Sequence, residues 1–310
     1  AERLGRPRTV DGGPAGAVVL AMGKFGGREM NYASDVDVVF LYDHEGVTVP
    51  ARRGRKPAAG TTHAHFFGEL AQRTMRVFNA FGPQGRLYDM DSRLRPSGRS
   101  GPAAISLAEF ARYFAHDGPA AVWERQALVK ARPVVGSAAA AEEVRRIIDE
   151  ASYGRTWTAA DVESIRRMRF RMEEGAKPTN LKRGPGGVVD VEFVAQMLQL
   201  VHGGREPRLR TSGTLSALVA LHEAGLLGDE RFAFLERSYR VLRAVEGRLR
   251  LLDAPARHDF PESPDEHRKL AMLLGYADTA ALVADVRETT SRVRAEFNAV
   301  FDEAVQTWKT

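Results

Sequence analysis

The chain has 310 residues, of which 44% are hydrophobic, so it is long enough to bury one large core or two ordinary ones. It contains no cysteine, which excludes disulfides, thiolate zinc sites and a cysteine nucleophile. The formal net charge is +5, and the basic residues are spread along the chain, which does not favour a nucleic-acid-binding protein.

Membrane and targeting patterns are also absent from the sequence. No apolar run has the length that a bilayer-spanning helix needs, and the first residues resemble neither a signal peptide nor a transit peptide. We therefore expect a cytoplasmic protein with no membrane, DNA or RNA partner.

The first half alternates short strand and helix patterns. Residues 16–23 form an apolar run that ends in glycine, which is typical of a buried strand. Residues 34–43, SDVDVVFLYD, predict a second strand, and residues 86–96 predict a third that stops at a proline. Residues 65–81 carry apolar side chains at helical spacing, and residues 51–60, ARRGRKPAAG, predict a basic loop.

Two acids interrupt the second predicted strand. Because side chains alternate between the faces of a strand, Asp35 and Asp37 point the same way while Val36 and Val38 pack behind them. Two like charges this close need a cation between them, and a divalent metal held against a phosphate is a common solution. A bare pair of acids also occurs on solvent-facing strands, so the metal interpretation depends on what accompanies the pair.

A glycine-rich turn and a third acid accompany the pair. Gly23, Gly26 and Gly27 follow the first predicted strand, and glycines allow a backbone to approach a triphosphate closely. Asp91 lies on the third predicted strand and can complete a carboxylate cluster. Together these features indicate a nucleotidyltransferase, in which two metal ions assist an in-line displacement at phosphorus.

The second half has a different pattern. From about residue 138, successive segments carry helical periodicity and are separated by glycine, proline or aspartate. We therefore expect two domains, a catalytic domain over residues 1–139 and a helical bundle over residues 140–310. The fold class is α+β.

Four separated motifs resemble one family. Residues 22–43, 87–102, 123–136 and 181–196 together are similar to the glutamine synthetase adenylyltransferase/adenylyl-removing enzymes, and the resemblance extends from about residue 16 to 305. It implies a polymerase-β-like nucleotidyltransferase domain with a mixed sheet, followed by an all-α bundle. It also implies transfer of AMP from ATP, with Mg²⁺, to a tyrosine of glutamine synthetase, and makes the PII signal protein a candidate partner.

The resemblance and the residue chemistry together assign candidate site residues. We expect Asp35, Asp37 and Asp91 to bind metal and to be catalytic, with Asp91 as the proton acceptor. Residues expected to contact the nucleotide are Gly23, Lys24, Gly26, Gly27, Ser34, Arg93, Arg95, Lys130, Arg132 and Lys182.

Several of these assignments have a structural alternative. The superfamily pattern has a glycine pair about ten residues before the acids, whereas Gly26 and Gly27 lie closer and Gly23 is followed by Lys24, so the phosphate-binding glycines stay open. Arg93 and Arg95 could instead pair with Asp91. Asp190, in the fourth motif, lies in the first turn of a predicted helix. The helix dipole favours an acid there, with or without a role in the site.

The activity also has alternatives. RPSGRSG and QALVKARPVVG favour the adenylylating, C-terminal half of a longer enzyme, from which the chain looks excised. The homologous deadenylylating half would use phosphate to release ADP from modified glutamine synthetase. A non-catalytic module that binds nucleotide or PII is disfavoured, because it has no need of three acids.

Overall fold

The computed structural model describes residues 4–50, 60–86, 88–252 and 257–306. Most of the predicted basic loop at residues 51–60, including its cluster at 52–56, lies outside the described residues. The chain divides into two compact units, one made of residues 1–30 and 34–154 and the other of residues 31–33 and 155–310.

The first unit combines strands and helices. In chain order these are β1 (Arg6–Pro7), β2 (Ala17–Ala21), α1 (Gly23–Gly26), β3 (Asp35–Tyr42), β4 (Thr48–Val49), α2 (His63–Phe78), β5 (Asp89–Asp91), β6 (Ala104–Ser106), α3 (Leu107–Phe114), α4 (Val122–Leu128), β7 (Arg132–Val135) and α5 (Ala138–Tyr153), with a short 3-10 turn at Gly98–Ser100.

Five of these strands form a mixed sheet. Its order is β5-β3-β2-β7, and β6 pairs with β3 as well. β2 is antiparallel to β3 and to β7, whereas β5 and β6 run parallel to successive parts of β3. The predicted α+β class with a mixed sheet is confirmed.

The two faces of β3 pack against different layers. Val36, Val38, Phe40 and Tyr42 join a core with Phe67 of α2. Tyr42 and Phe67 stack with ring centroids 5.1 Å apart. On the opposite face, Val39 and Leu41 belong to a core that includes residues of α3 and α5. Because side chains alternate, Asp35 and Asp37 share this second face.

Helix α5 belongs to the first unit. Its apolar stripe, with Val144, Ile147 and Ile148, completes the core beneath β2 and β3. The structural division therefore falls after residue 154, whereas the sequence pattern changes near residue 140. Helical periodicity marks a helix but does not indicate the core that its apolar face will join.

In the second unit, the described residues form six helices. They are α6 (Ala159–Glu173), α7 (Val188–His202), α8 (Thr214–Glu223), α9 (Asp229–Leu252), α10 (Pro264–Leu274) and α11 (Thr279–Gln306), with a 3-10 turn at Pro207–Leu209. None of the helices in the described part of the chain has the length and apolarity needed to cross a bilayer.

A buried ion network organises this unit. Asp190 of α7 is fully buried and is contacted by Arg169 of α6 and by Arg294 of α11, whose Nε lies 2.8 Å from Asp190 Oδ2. The same oxygen accepts the Gly186 N–H at 2.8 Å. Gly186 has φ +70° and packs so tightly that a Cβ there would lie 1.7 Å from the Thr290 carbonyl oxygen. Asp190 thus joins three helices and the glycine turn before α7.

We expect Asp190→Asn to lower the free energy of unfolding by about 3 kcal/mol, because it leaves two arginines partly uncompensated in a dry interior. The matched control is Glu142→Gln, in an exposed pair with Arg145 at 2.7 Å, which should cost under about 1 kcal/mol. Urea denaturation followed by circular dichroism measures both. Equal effects of the two changes would contradict the structural role of Asp190.

Candidate active site

The acids of the first unit meet through strand pairing. β3 and β5 run parallel, with Asp35 opposite Asp89 and Asp37 opposite Asp91. Neighbouring strands lie about 4.8 Å apart, so Asp37 and Asp91 are direct neighbours. Asp35 is exposed and Asp37 is half-buried. Asp89 is also exposed, and its Oδ1 pairs with Arg86 Nε at 2.9 Å. The Asp89 carboxylate therefore already has a positively charged partner.

Arg93 contacts Asp91 directly. Asp91 Oδ1 accepts the Arg93 backbone N–H at 2.8 Å, and Asp91 Oδ2 is bound by the Arg93 guanidinium. Burial acts to raise the pKa of Asp91, but the hydrogen bonds and charge of Arg93 hold that pKa below its ordinary value. The hydrogen bond to Asp91 raises the pKa of Arg93, and the charges of Asp35 and Asp37 act in the same direction.

This group has the donor chemistry of a magnesium site. Carboxylate oxygens are the hard ligands that Mg²⁺ prefers. In the structure the positive charge acting on these carboxylates is that of the Arg93 guanidinium. Within the described ranges, no three histidine, cysteine, aspartate or glutamate side chains converge as a ready-made metal-binding group. Asp35, Asp37 and Asp91 are the acids that the sequence predicts as metal ligands, and both carboxylate oxygens of Asp91 are in contact with Arg93.

The glycine turn lies against Asp37. Gly23 has φ +50°, and a Cβ at this position would lie 2.6 Å from Asp37 Oδ2. The Met22 N–H also donates to the Asp37 carbonyl oxygen at 2.9 Å. Ser34 is buried at the start of β3, and Lys24 is half-buried in α1. Gly23 is therefore the glycine that the structure brings to the acids.

Gly26 and Gly27 have internal roles in the turn. The Gly26 N–H donates to the Met22 carbonyl at 2.8 Å, and the Gly27 N–H donates to the Gly23 carbonyl at 3.0 Å. A Cβ on Gly26 would lie 1.9 Å from the Lys130 carbonyl oxygen. Gly26 lets α1 pack against the segment before β7, and the N–H groups of both glycines are engaged within the helical turn.

Lys130 and Arg132 join the glycine turn to that segment. Lys130 is buried, and its Nζ lies 2.7 Å from Glu29 Oε2. Arg132 donates from Nε to the Gly26 carbonyl at 3.2 Å and from Nη2 to the Phe25 carbonyl at 3.3 Å. The sequence interpretation missed Glu29. The signal that could have found it is an acid within a basic, glycine-rich turn.

Two other predicted residues have different surroundings. Arg95 is folded into its own loop, where Nη1 donates to the Ser92 carbonyl at 2.7 Å and Nη2 donates to the Gly101 carbonyl at 3.1 Å. Lys182 belongs to the second unit, where its charge helps to lower the pKa of His258, for which burial is the larger cause. The structure therefore groups Asp35, Asp37, Asp91, Arg93 and Gly23 most closely.

Family models match both parts of the chain. Residues 1–147 match the family described as Glutamate-ammonia ligase adenylyltransferase. Residues 159–301 match the family described as GlnD PII-uridylyltransferase.

Three curated relatives share the name bifunctional glutamine synthetase adenylyltransferase/adenylyl-removing enzyme. The protein from Xanthomonas axonopodis pv. citri is 37% identical over 95% of this chain, and the one from Xanthomonas oryzae pv. oryzae is 36% identical over 96%. The Nitrosococcus oceani protein is 35% identical over 97%. The chain spans 31% of the length of each of these relatives.

We expect Gly23→Ala to lower the free energy of unfolding by about 1–2 kcal/mol, because alanine at φ +50° is strained and its Cβ would displace the Asp37 carboxylate. The control is Gly68→Ala in α2, where a Cβ meets no atom within 4 Å and the helix should gain up to about 1 kcal/mol. Urea denaturation measures both changes. A stabilising Gly23→Ala would contradict the packing of the turn on Asp37.

Proposed function

The chain belongs to the family of glutamine synthetase adenylyltransferase/adenylyl-removing enzymes, and we propose that its first unit transfers AMP from ATP to a tyrosine of glutamine synthetase. The observation that carries this proposal is the parallel register of β3 and β5, which makes Asp37 and Asp91 neighbours. In this proposal the first unit is a polymerase-β-like nucleotidyltransferase domain, the second is a helical bundle, and the protein is cytoplasmic.

The acids have distinct roles in this reaction. Asp35 and Asp37 would hold Mg²⁺ together with Asp91, and Asp91 would also accept the proton of the tyrosine hydroxyl. The metal, when bound, would neutralise phosphate charge and lower the pKa of the attacking phenol. The phenol oxygen bonds to the α-phosphorus, and the bond from that phosphorus to the pyrophosphate oxygen breaks.

The glycine turn supports these acids. Gly23 lets the backbone lie beside Asp37, while Lys130 and Arg132 hold the turn through Glu29, Phe25 and Gly26. Catalysis of this kind depends on positioning and charge, because little covalent chemistry falls to the protein. In this proposal Lys130 and Arg132 act on the reaction by holding the turn. The proposed nucleotide contacts remain Gly23, Lys24, Gly26, Gly27, Ser34, Arg93, Arg95, Lys130, Arg132 and Lys182.

The reverse direction is a second candidate. The relatives are named as both adenylyltransferase and adenylyl-removing enzymes, and this chain corresponds to 31% of their length. The chain could therefore correspond to the part that uses inorganic phosphate to release ADP from adenylylated glutamine synthetase. The match of residues 159–301 to a PII-uridylyltransferase family supports the PII protein as a proposed regulatory partner.

We expect Asp37→Asn and Asp35→Asn each to lower the rate of AMP transfer by at least about a hundredfold, because each removes a charged metal ligand. The measurement is incorporation of label from [α-³²P]ATP into glutamine synthetase. Asp89→Asn is the matched control on β5, because its carboxylate pairs with Arg86, and it should retain most activity. Near-wild-type transfer by Asp37→Asn would defeat the assignment of the acids.

We expect the chain to modify unmodified glutamine synthetase in the presence of ATP and Mg²⁺, with release of pyrophosphate. Incubation of adenylylated glutamine synthetase with phosphate, followed by measurement of ADP, tests the opposite direction with the same protein. ADP release without AMP transfer would identify the removing activity. Nucleotide binding with neither reaction would indicate a non-catalytic module.

A further inference from the structure

Asp91 has both carboxylate oxygens engaged by one residue. The backbone N–H of Arg93 donates to Oδ1, and the guanidinium binds Oδ2 through Nε and Nη2. A divalent cation that binds Asp91 through Oδ2, or through both oxygens, must therefore replace the guanidinium contacts on Oδ2. The backbone hydrogen bond can persist during this exchange, because it does not depend on the Arg93 side chain.

The Arg93 side chain is able to move. It is 54% exposed, and a long, exposed arginine side chain loses little packing when it changes rotamer. Arg95, two residues further on, differs because its guanidinium donates to carbonyls of Ser92, Arg99 and Gly101. Of these two arginines, only Arg93 combines exposure with a direct contact to a proposed metal ligand.

Charge makes the exchange competitive. The Arg93 guanidinium interacts with Asp91 and also lies in the field of Asp35 and Asp37. A divalent cation held by the same acids would be repelled by a guanidinium in that position, since like charges at short distance cost free energy. The acids can therefore satisfy the guanidinium or the metal, but not both in the same geometry.

We propose that Arg93 and a divalent cation compete for the Asp91 carboxylate, and that Arg93 thereby couples metal binding to nucleotide binding. This inference rests on the proposed function in that the acids bind a divalent cation and the site takes a nucleoside triphosphate. The phosphates of that ligand offer the displaced guanidinium a bidentate partner. Metal and nucleotide then each favour the binding of the other, because coupling between two ligands is reciprocal.

The test measures Mn²⁺ binding to the whole chain by electron paramagnetic resonance, without nucleotide and then with saturating α,β-methylene-ATP, which cannot transfer AMP. Without nucleotide, we expect Arg93→Gln to bind Mn²⁺ about tenfold more tightly than the wild type, because a charge-assisted, partly exposed competitor is lost. The analogue should tighten Mn²⁺ binding about tenfold more in the wild type than in Arg93→Gln.

Two control variants separate direct competition from a general charge effect. Arg99 acts on Asp91 through its charge without a side-chain hydrogen bond, so Arg99→Gln should change Mn²⁺ affinity by less than about threefold. Arg93→Lys keeps the charge but loses the two-nitrogen guanidinium contact, so its Mn²⁺ affinity should lie between those of the wild type and Arg93→Gln. Thermal unfolding in the presence of a chelator verifies that each variant is folded before binding is measured.

The proposal is overturned if Arg93→Gln binds Mn²⁺ no more tightly than the wild type, or if Arg99→Gln has the same effect. It is also overturned if the nucleotide analogue tightens Mn²⁺ binding equally in both proteins. Neither readout requires turnover. Loss of AMP transfer with intact Mn²⁺ competition would therefore count against the proposed function and leave the role of Arg93 standing.

Discussion

The parallel register of β3 and β5 is the constraint on which the proposed site in the first unit depends. Asp35 and Asp37 lie on one face of β3, and parallel pairing sets Asp91 beside Asp37. The Arg93 guanidinium binds Asp91 and also lies in the field of Asp35 and Asp37. In the proposed reaction, the divalent metal would bind the same acids whose charges now act on Arg93.

The glycine turn and the segment that leads into β7 depend on each other. A buried lysine pairs with Glu29, and Arg132 caps the carbonyls at the end of α1. Gly26 allows the contact, because any side chain there would strike the Lys130 carbonyl. Two motifs that are far apart in the sequence thus form one support behind Asp37. The sequence predicts Lys130 and Arg132 as phosphate ligands, and in the structure their side chains also hold the turn through Glu29, Phe25 and Gly26.

The second unit uses charge for a different purpose. Asp190 is fully buried between Arg169 and Arg294 and also accepts the Gly186 N–H, so it fixes the turn before α7. A single acid in the first turn of a helix is explained by the helix dipole alone. The partners of Asp190 come from α6 and α11, and they turn this position into a junction of three helices.

Local periodicity in the sequence determined the strand that carries Asp35 and Asp37 and the common face of these acids. It also determined that helix α2 forms. Both patterns involve only residues that are near one another in the sequence. Tertiary structure alone decided that β5 would be short and parallel to β3. The sequence predicted a strand over 86–96, but among the described residues of that range only Asp89–Asp91 forms one. Asn79 hydrogen-bonds both backbone groups of Met90 at its middle, and beyond its end the Arg93 N–H turns back onto Asp91. Such contacts join distant or folded-back segments, so their partners depend on packing that a local pattern does not contain.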